Sequence, residues 1–271
     1  MSKKYAIVMI ATNNYFPLGI RFISRLKHFC NDLSNVDIHI AIDEDKSLDF
    51  FNDLSIFCHK QNTGDWDSGT LLKFDICKKI AEEYDYEYIV CIDADTNIYH
   101  NFNIDDIFAT SFILKHINNL GVEGNSHHYE SNINSIAYVS PEEYQDIYYQ
   151  ACYFGGTKQN MLDMVNFGIK LKNIDIENGV LATWADEGYL QKYFIKNPPD
   201  KIFDPHDKND FPFFVGDRGF IMDCPSSGKY TKPFETISPE EYEDLVKNII
   251  LLEKDNIFWD IKKDHIFLEN S

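Results

Sequence analysis

The chain has 271 residues, enough to bury one large core or two closely packed lobes, and 44% of them are hydrophobic, the composition of an ordinary globular protein. Its 25 lysines and arginines face 44 aspartates and glutamates, a formal net charge of -19. A surface this acidic cannot displace counterions from a phosphate backbone, which excludes nucleic acid as a partner.

Residues 4–11 form a compact β-type run, and the longest early apolar run, 5–12, is too short to cross a bilayer and is followed by polar Asn13 and Asn14. No small-residue cleavage site follows it, so neither a signal peptide nor a transmembrane segment is expected, and the default location is cytoplasmic. Leu18, Phe22, Leu26 and Phe29 then recur at helical spacing. Val36, Ile38, Ile40 and Ile42 alternate as a second strand that ends in the acidic stretch 43–45. After the turn-rich segment 61–69, Ser68 is placed to cap a helix in which Leu72, Ile76 and Ile80 share a face. Residues 88–92 are a third, wholly apolar strand.

Strands alternating with helices imply βαβ units, a mainly parallel sheet, and ligands at the carboxyl ends of its strands. Beyond about residue 110 the pattern turns irregular, with polar stretches such as 118–134. Residues 148–154 lead through Gly155-Gly156 into a helix expected near Thr157. Ser238, Pro239 and Glu241 read as the start of a surface helix with Leu245, Ile249 and Leu252 on one face. With no repeat and no linker, the two halves are expected to share one core. The six cysteines, Cys30, Cys58, Cys77, Cys91, Cys152 and Cys224, form no C-x-x-C pair and read as buried thiols in a reducing compartment.

Three local signals carry chemistry. Asp93-Ala94-Asp95 directly follows the apolar strand, where two carboxylates on one side of an extended segment could share a hard divalent cation with a diphosphate; acidic residues also end strands for solubility. In Trp184-Ala185-Asp186-Glu187, the two acids open a helical pattern, a position the helix dipole favours in any case. Gly155-Gly156 would let the backbone approach a ligand or form the turn before a helix. No G-x-G-x-x-G or P-loop is present.

The combination is more specific than its parts. Tyr148-Tyr149-Gln150-Ala151-Cys152-Tyr153-Phe154-Gly155-Gly156-Thr157, followed by Trp184-Ala185-Asp186-Glu187-Gly188-Tyr189-Leu190-Gln191-Lys192-Tyr193-Phe194 and Asn197-Pro198-Pro199, resembles glycosyltransferase family six, with its blood-group transferases, α-1,3-galactosyltransferase and soluble bacterial members. The resemblance runs from about Lys4 to Pro205. It implies an α/β GT-A fold, with a Rossmann-like, mainly parallel central sheet and an intimately packed acceptor-binding half. The expected organisation is a single catalytic domain over 1–271: a nucleotide-sugar half over about 1–110, an acceptor-binding and catalytic half over about 111–235, and a helical tail over about 236–271.

Carried over by position, the resemblance implies that Ile10, Ala11, Thr12 and Tyr15 cradle uracil and ribose; Ile10 and Ala11 also suit a plain strand core. Trp66 opens the donor-site helix segment, placing Thr70 and Lys73 near the donor, with Lys73 where the family commonly has arginine. Asp93, Ala94 and Asp95 match the acidic pair that holds Mn²⁺ or Mg²⁺, a pair some bacterial relatives replace with asparagines. Gln150, Ala151 and Cys152 fall where galactose and N-acetylgalactosamine are told apart, and a side chain at Cys152 leaves less room for an acetamido group. Asp186 is implied to bind the donor sugar and Glu187 to be the catalytic carboxylate; Trp184, His116 and His128 line the acceptor cleft.

Ala185 replaces a family histidine, Ser131-Asn132 stand where two arginines usually follow Tyr129-Glu130, and the chain beyond Pro205 diverges. Arg218, Lys229 and Lys232 there read as a basic lid over the diphosphate or as ordinary surface charge. The activity implied is retaining transfer of galactose or N-acetylgalactosamine from a UDP-sugar, in α-1,3 linkage, to a hydroxyl of an oligosaccharide or glycan acceptor. The rivals are another UDP-sugar donor on the same scaffold, or a catalytically weak protein that binds UDP-sugar and glycan.

Overall fold

The computed structural model describes residues 4–61, 66–98, 100–116, 129–207, 210–214, 219–224 and 228–233, with residues 243, 247 and 250. In chain order its elements are β1 (Tyr5–Ile10), α1 (Phe16–Phe29), β2 (Val36–Asp43), β3 (Ile56–Gln61), α2 (Trp66–Glu83), β4 (Tyr88–Asp93), β5 (Asn97–Ile98) and β6 (Ser111–Lys115). Then come β7 (Tyr149–Thr157), α3 (Lys158–Glu177), α4 (Ala185–Lys196), β8 (Lys201–Phe203), β9 (Phe213–Phe214), β10 (Gly219–Cys224) and β11 (Gly228–Pro233).

Seven strands form one sheet in the order β3-β2-β1-β4-β7-β6-β8. β3, β2, β1 and β4 run parallel, β7 runs against both β4 and β6, and β8 is parallel to β6. This is the α/β, mostly parallel sheet expected of a GT-A-like glycosyltransferase. β1 shows why the strands read as unbroken apolar runs. Its alternate residues feed two cores, Ile7 and Met9 packing with α1 on one face, Ala6 and Val8 with α2, α3 and α4 on the other. A strand covered on both faces favours apolar residues at every position, and the buried Asp37 and His39 of β2 are exceptions held by hydrogen bonds.

Helix α1 extends the apolar spacing of Leu18, Phe22 and Leu26, all fully buried. Thr157 caps α3 by accepting a bond from Asn160 N. β5 pairs with β9, and β10 with β11 forms a separate antiparallel hairpin. Among the described residues, no helix is long and apolar enough to cross a membrane.

Two expectations are corrected. Gly155 and Gly156 do not form a turn; both lie inside β7. A Cβ on Gly155 would sit 2.4 Å from Ile89 O, and one on Gly156 2.4 Å from Thr110 O, so the glycines let β7 pack between its neighbours. Cys58 is exposed rather than buried, because β3 is the edge strand and turns alternate residues to solvent. The tail helix expected from Ser238 lies mostly outside the described residues, of which 243, 247 and 250 are helical.

Candidate active site

The site is built where the sheet changes direction. Ile10 of β1 is in register with Asp93 of β4, so the ends of both strands, and the residues that follow them, open on the same edge. β7 runs the other way, and its pairing of Tyr153 with Ile92 brings Gln150, Ala151 and Cys152, at its beginning, to that edge too. α4 starts beside them. Its entry bends through Ala185, which has a positive φ of 43°. That left-handed conformation costs a non-glycine residue roughly 1–2 kcal/mol, and strain of this kind collects at functional sites. The bend puts Asp186 and Glu187 in the first turn of α4.

Charge is concentrated here. The Lys73 ammonium, 6% exposed on α2, sits 2.7 Å from Asp93 Oδ1 and 2.7 Å from Asp186 Oδ2. Burial works against the lysine's charge, but Asp186 and Asp93 outweigh it and raise its pKa. Burial also pushes the Asp186 carboxyl up to about 6, with Lys73 opposing and Asp93 adding to the rise. At neutral pH this is an ionic triad of one cation between two anions. Asp95, two residues on, is buried at 5% exposure.

Glu187 is half-buried and held by two donors. The Tyr148 hydroxyl donates to its Oε1 at 2.8 Å, and Ala151 N–H donates to its Oε2 at 3.2 Å. Surrounding protein pushes its pKa up to about 7; the two hydrogen bonds oppose that shift and Asp186 adds to it. The Cys152 thiol shares this environment, and burial with the nearby Asp93 charge raises its pKa well above the ordinary range. It is therefore a neutral wall of the site, not a thiolate nucleophile.

The structure thus gathers Lys73, Asp93, Asp186, Glu187, Ala151 and Cys152 into contact range, residues scattered over more than a hundred positions of sequence. Thr70 lies one helical turn before Lys73 on α2. Ile10 ends β1 beside Asp93 and Ala11 and Thr12 follow it, Ala94 is buried between the two aspartates, and Tyr15 closes a 3-10 turn. The turn is anchored across the edge by Asn13 N–H donating to Asp43 Oδ2 at 2.7 Å. The Gln150 Oε1 atom is buried with no hydrogen-bond partner among the described residues.

On the other side, Trp184 is 41% exposed at the start of α4, and His116 stands edge-on to Tyr148 at 5.6 Å. His128 and Arg218 lie outside the described residues, as do the side chains of Lys229 and Lys232 on β11. Three supports were given no role by the sequence, although Tyr148 and Glu130 lie within the family-like motifs. Glu130, 2% exposed, accepts from Asn132 N at 2.7 Å and from both the N–H and the hydroxyl of Thr183. Asp175, fully buried at the end of α3, accepts from Ser135 Oγ, Ile136 N and Tyr189 OH. These two carboxylates tie residues 131–136 to the segment that enters α4. Tyr148 is the third, its partner being 39 residues away.

The donor set suits a hard divalent cation. Asp93 and Asp186 pair with the single Lys73 ammonium, Glu187 lies within its field, Asp95 stands two residues beyond Asp93, and a diphosphate would add further negative charge. Asp93 and Asp95 are the pair able to hold such an ion. Among the described residues no group of three or more metal-binding side chains exists, so its other ligands would be phosphate oxygens and water, a usual arrangement for Mg²⁺-like ions.

Residues 15–212 match the sequence model of glycosyltransferase family 6. Similar curated proteins include histo-blood group ABO system transferase 2 of Rattus norvegicus, 25% identical over 143 residues, which cover 52% of this chain and 42% of that one. Globoside alpha-1,3-N-acetylgalactosaminyltransferase 1 of Gallus gallus is 26% identical over 119 residues, 44% of this chain and 34% of that protein. Glycosyltransferase 6 domain-containing protein 1 of Rattus norvegicus is 40% identical over 77 residues, 28% of this chain and 24% of that one. The matched stretches thus span less than half the length of each of these relatives.

Proposed function

The chain belongs to glycosyltransferase family 6, and from that premise we propose that it transfers galactose or N-acetylgalactosamine from a UDP-sugar to a glycan hydroxyl, with retention and in α-1,3 linkage. The observation that carries the reading is the excess of carboxylate over ammonium at the carboxyl ends of β1 and β4, with Glu187 fixed at its margin by two donors.

In the reaction the bond from the anomeric carbon to the β-phosphate oxygen breaks, UDP leaves, and the acceptor oxygen bonds to the same carbon on the same face. The acceptor's proton passes to the departing phosphate oxygen, so no histidine base is required. Glu187 faces the positive charge that builds at the anomeric carbon, as an ion partner or as a covalent nucleophile. Asp186, ionised and locked to Lys73, accepts from sugar hydroxyls. The ends of β1 and the 3-10 turn hold the nucleoside. Asp93 and Asp95 would hold Mn²⁺ or Mg²⁺, which when bound offsets the charge of the leaving diphosphate. Trp184, with its ring exposed beside α4, offers an apolar face to the acceptor sugar.

The test is UDP release from UDP-galactose and UDP-N-acetylgalactosamine, with Mn²⁺ and with chelator, in wild type, Asp95→Asn and Glu187→Gln, each first shown to be folded. Metal-dependent release that drops about a hundredfold or more in both variants is expected. If UDP and Mn²⁺ bind but no donor from a wider panel turns over, the chain is a binding protein instead. Ala185, Ser131 and Asn132, where the family's side chains are missing, would then be the first positions to restore.

A further inference from the structure

We propose that Tyr148 is a positioning residue for catalysis, its hydroxyl orienting the Glu187 carboxylate and favouring the carboxylate's charged form. The inference rests on the reading of Glu187 as the carboxylate at the reacting centre. A carboxylate can only accept, so the 2.8 Å contact is Tyr148 O–H donating to Glu187 Oε1. Glu187 has two hydrogen-bond donors among the described residues, and the other, Ala151 N–H, is backbone. Tyr148 is thus the side chain through which sequence controls this carboxylate.

The phenol is built to stay where it is. Tyr148 is 1% exposed, and its ring meets Tyr129 edge-on at 5.1 Å and His116 at 5.6 Å. Tyr129 stacks in turn on Tyr144 at 4.5 Å and is pinned by its hydroxyl to the backbone of Gln145. The Tyr148 carbonyl accepts from His116 N–H at 2.9 Å. This small cluster, separate from the two main cores, packs around the ring that carries that hydroxyl. Burial pushes the phenol's own pKa far above its ordinary range, so it remains a donor at every working pH.

The other charged and titratable groups facing Glu187 cannot replace it. Asp186, on the same helix, disfavours a second negative charge; Lys73 on α2 favours it, but its ammonium is already engaged by Asp93 and Asp186; Cys152 on β7 is held neutral. Removing the hydroxyl while keeping the ring would therefore raise the Glu187 pKa by about one unit or more, the usual worth of a charge-assisted hydrogen bond.

The experiment uses Tyr148→Phe, with Tyr129→Phe as a second variant that loses a hydroxyl from the same cluster without touching Glu187. The Glu187 carboxyl is followed by ¹³C NMR titration of the folded full chain, assigned through Glu187→Gln. In parallel, kcat and donor KM are measured from pH 5.5 to 9.5. In Tyr148→Phe the titration midpoint and the acidic limb of kcat both move up by about one unit. At pH 6.5 kcat falls about tenfold, near pH 9 it recovers, and donor KM holds; Tyr129→Phe leaves the midpoint in place. An unmoved midpoint in folded Tyr148→Phe, or a kcat loss that is the same at every pH, overturns the proposal. Turnover that survives in Glu187→Gln sinks the catalytic reading of Glu187 itself, and the NMR midpoint still decides whether Tyr148 governs its charge.

Discussion

Two buried polar clusters touch the same sheet, and they solve the problem of burial in opposite ways. Away from the strand ends, Tyr86 OH donates to Asp37 Oδ2 at 2.7 Å, His39 Nε2 meets Tyr86 OH at 2.7 Å, and His39 Nδ1 meets His59 Nε2 at 3.0 Å. Because Asp37 only accepts, Tyr86 spends its proton there. His39 must then donate from Nε2 and accept at Nδ1, and His59 must donate. Both imidazoles are then neutral, and burial, with His59 beside it, pushes the His39 pKa down to about 4, while the second oxygen of Asp37, Oδ1, is buried with no hydrogen-bond partner among the described residues. At the strand ends the opposite holds: one ammonium is outnumbered by carboxylates, and Glu187 is left poised near 7. The first network suppresses charge on its imidazoles and lies away from the carboxyl ends of the strands, whereas the second gathers charge at the edge where parallel strands meet ligands.

The largest expected break in that contrast is Lys73→Met. Removing the ammonium leaves Asp93 and Asp186 facing each other without a cation, and urea unfolding at pH 7.5 without metal should show a loss of about 3–5 kcal/mol. Added Mn²⁺ should restore part of it; a loss under 1 kcal/mol would mean that the triad is far wetter than its burial indicates.

The next effect is in the sign of pH dependence. Glu187 is raised from 4.5 to about 7, so the native state binds more protons than the unfolded chain between those values, and this group lowers stability as pH rises through that window. His39 is lowered from 6.5 to about 4, so the unfolded chain binds more protons there, and this group lowers stability as pH falls. Each is worth roughly 3 kcal/mol across its full window. Glu187→Gln should therefore gain on wild type from pH 5 to pH 8 in thermal or urea unfolding, while a variant that gains equally at both ends would contradict the assignment.

The smallest change, Tyr86→Phe, strips Asp37 and His39 of a shared partner and should cost about 1–3 kcal/mol. Its donor turnover should match wild type, since this network lies away from the carboxyl ends of the strands where the site is built. A drop in turnover with the fold intact would erase the distinction between the two clusters.

Sequence by itself determined the α/β class, the strands β1, β2 and β4, the helices α1 and α2, and the acidic pair Asp93 and Asp95 after β4. These depend on local periodicity and on the rule that ligands meet parallel strands at their carboxyl ends, both legible over a dozen residues. The edge strand β3 and short β6 and β8 were not legible, because a half-solvated or three-residue strand has no periodicity to read. Gly155 and Gly156 looked like punctuation, and only the neighbouring β4 and β6 show that their missing side chains are what let β7 pack. Motif order placed Lys73, Asp186 and Glu187 near one donor, but only tertiary structure decided that Lys73 bridges two aspartates and that Tyr148 holds Glu187. The reason is range: a buried charge is set by whatever folds against it, and here its partners lie 20 to 113 residues away in the chain.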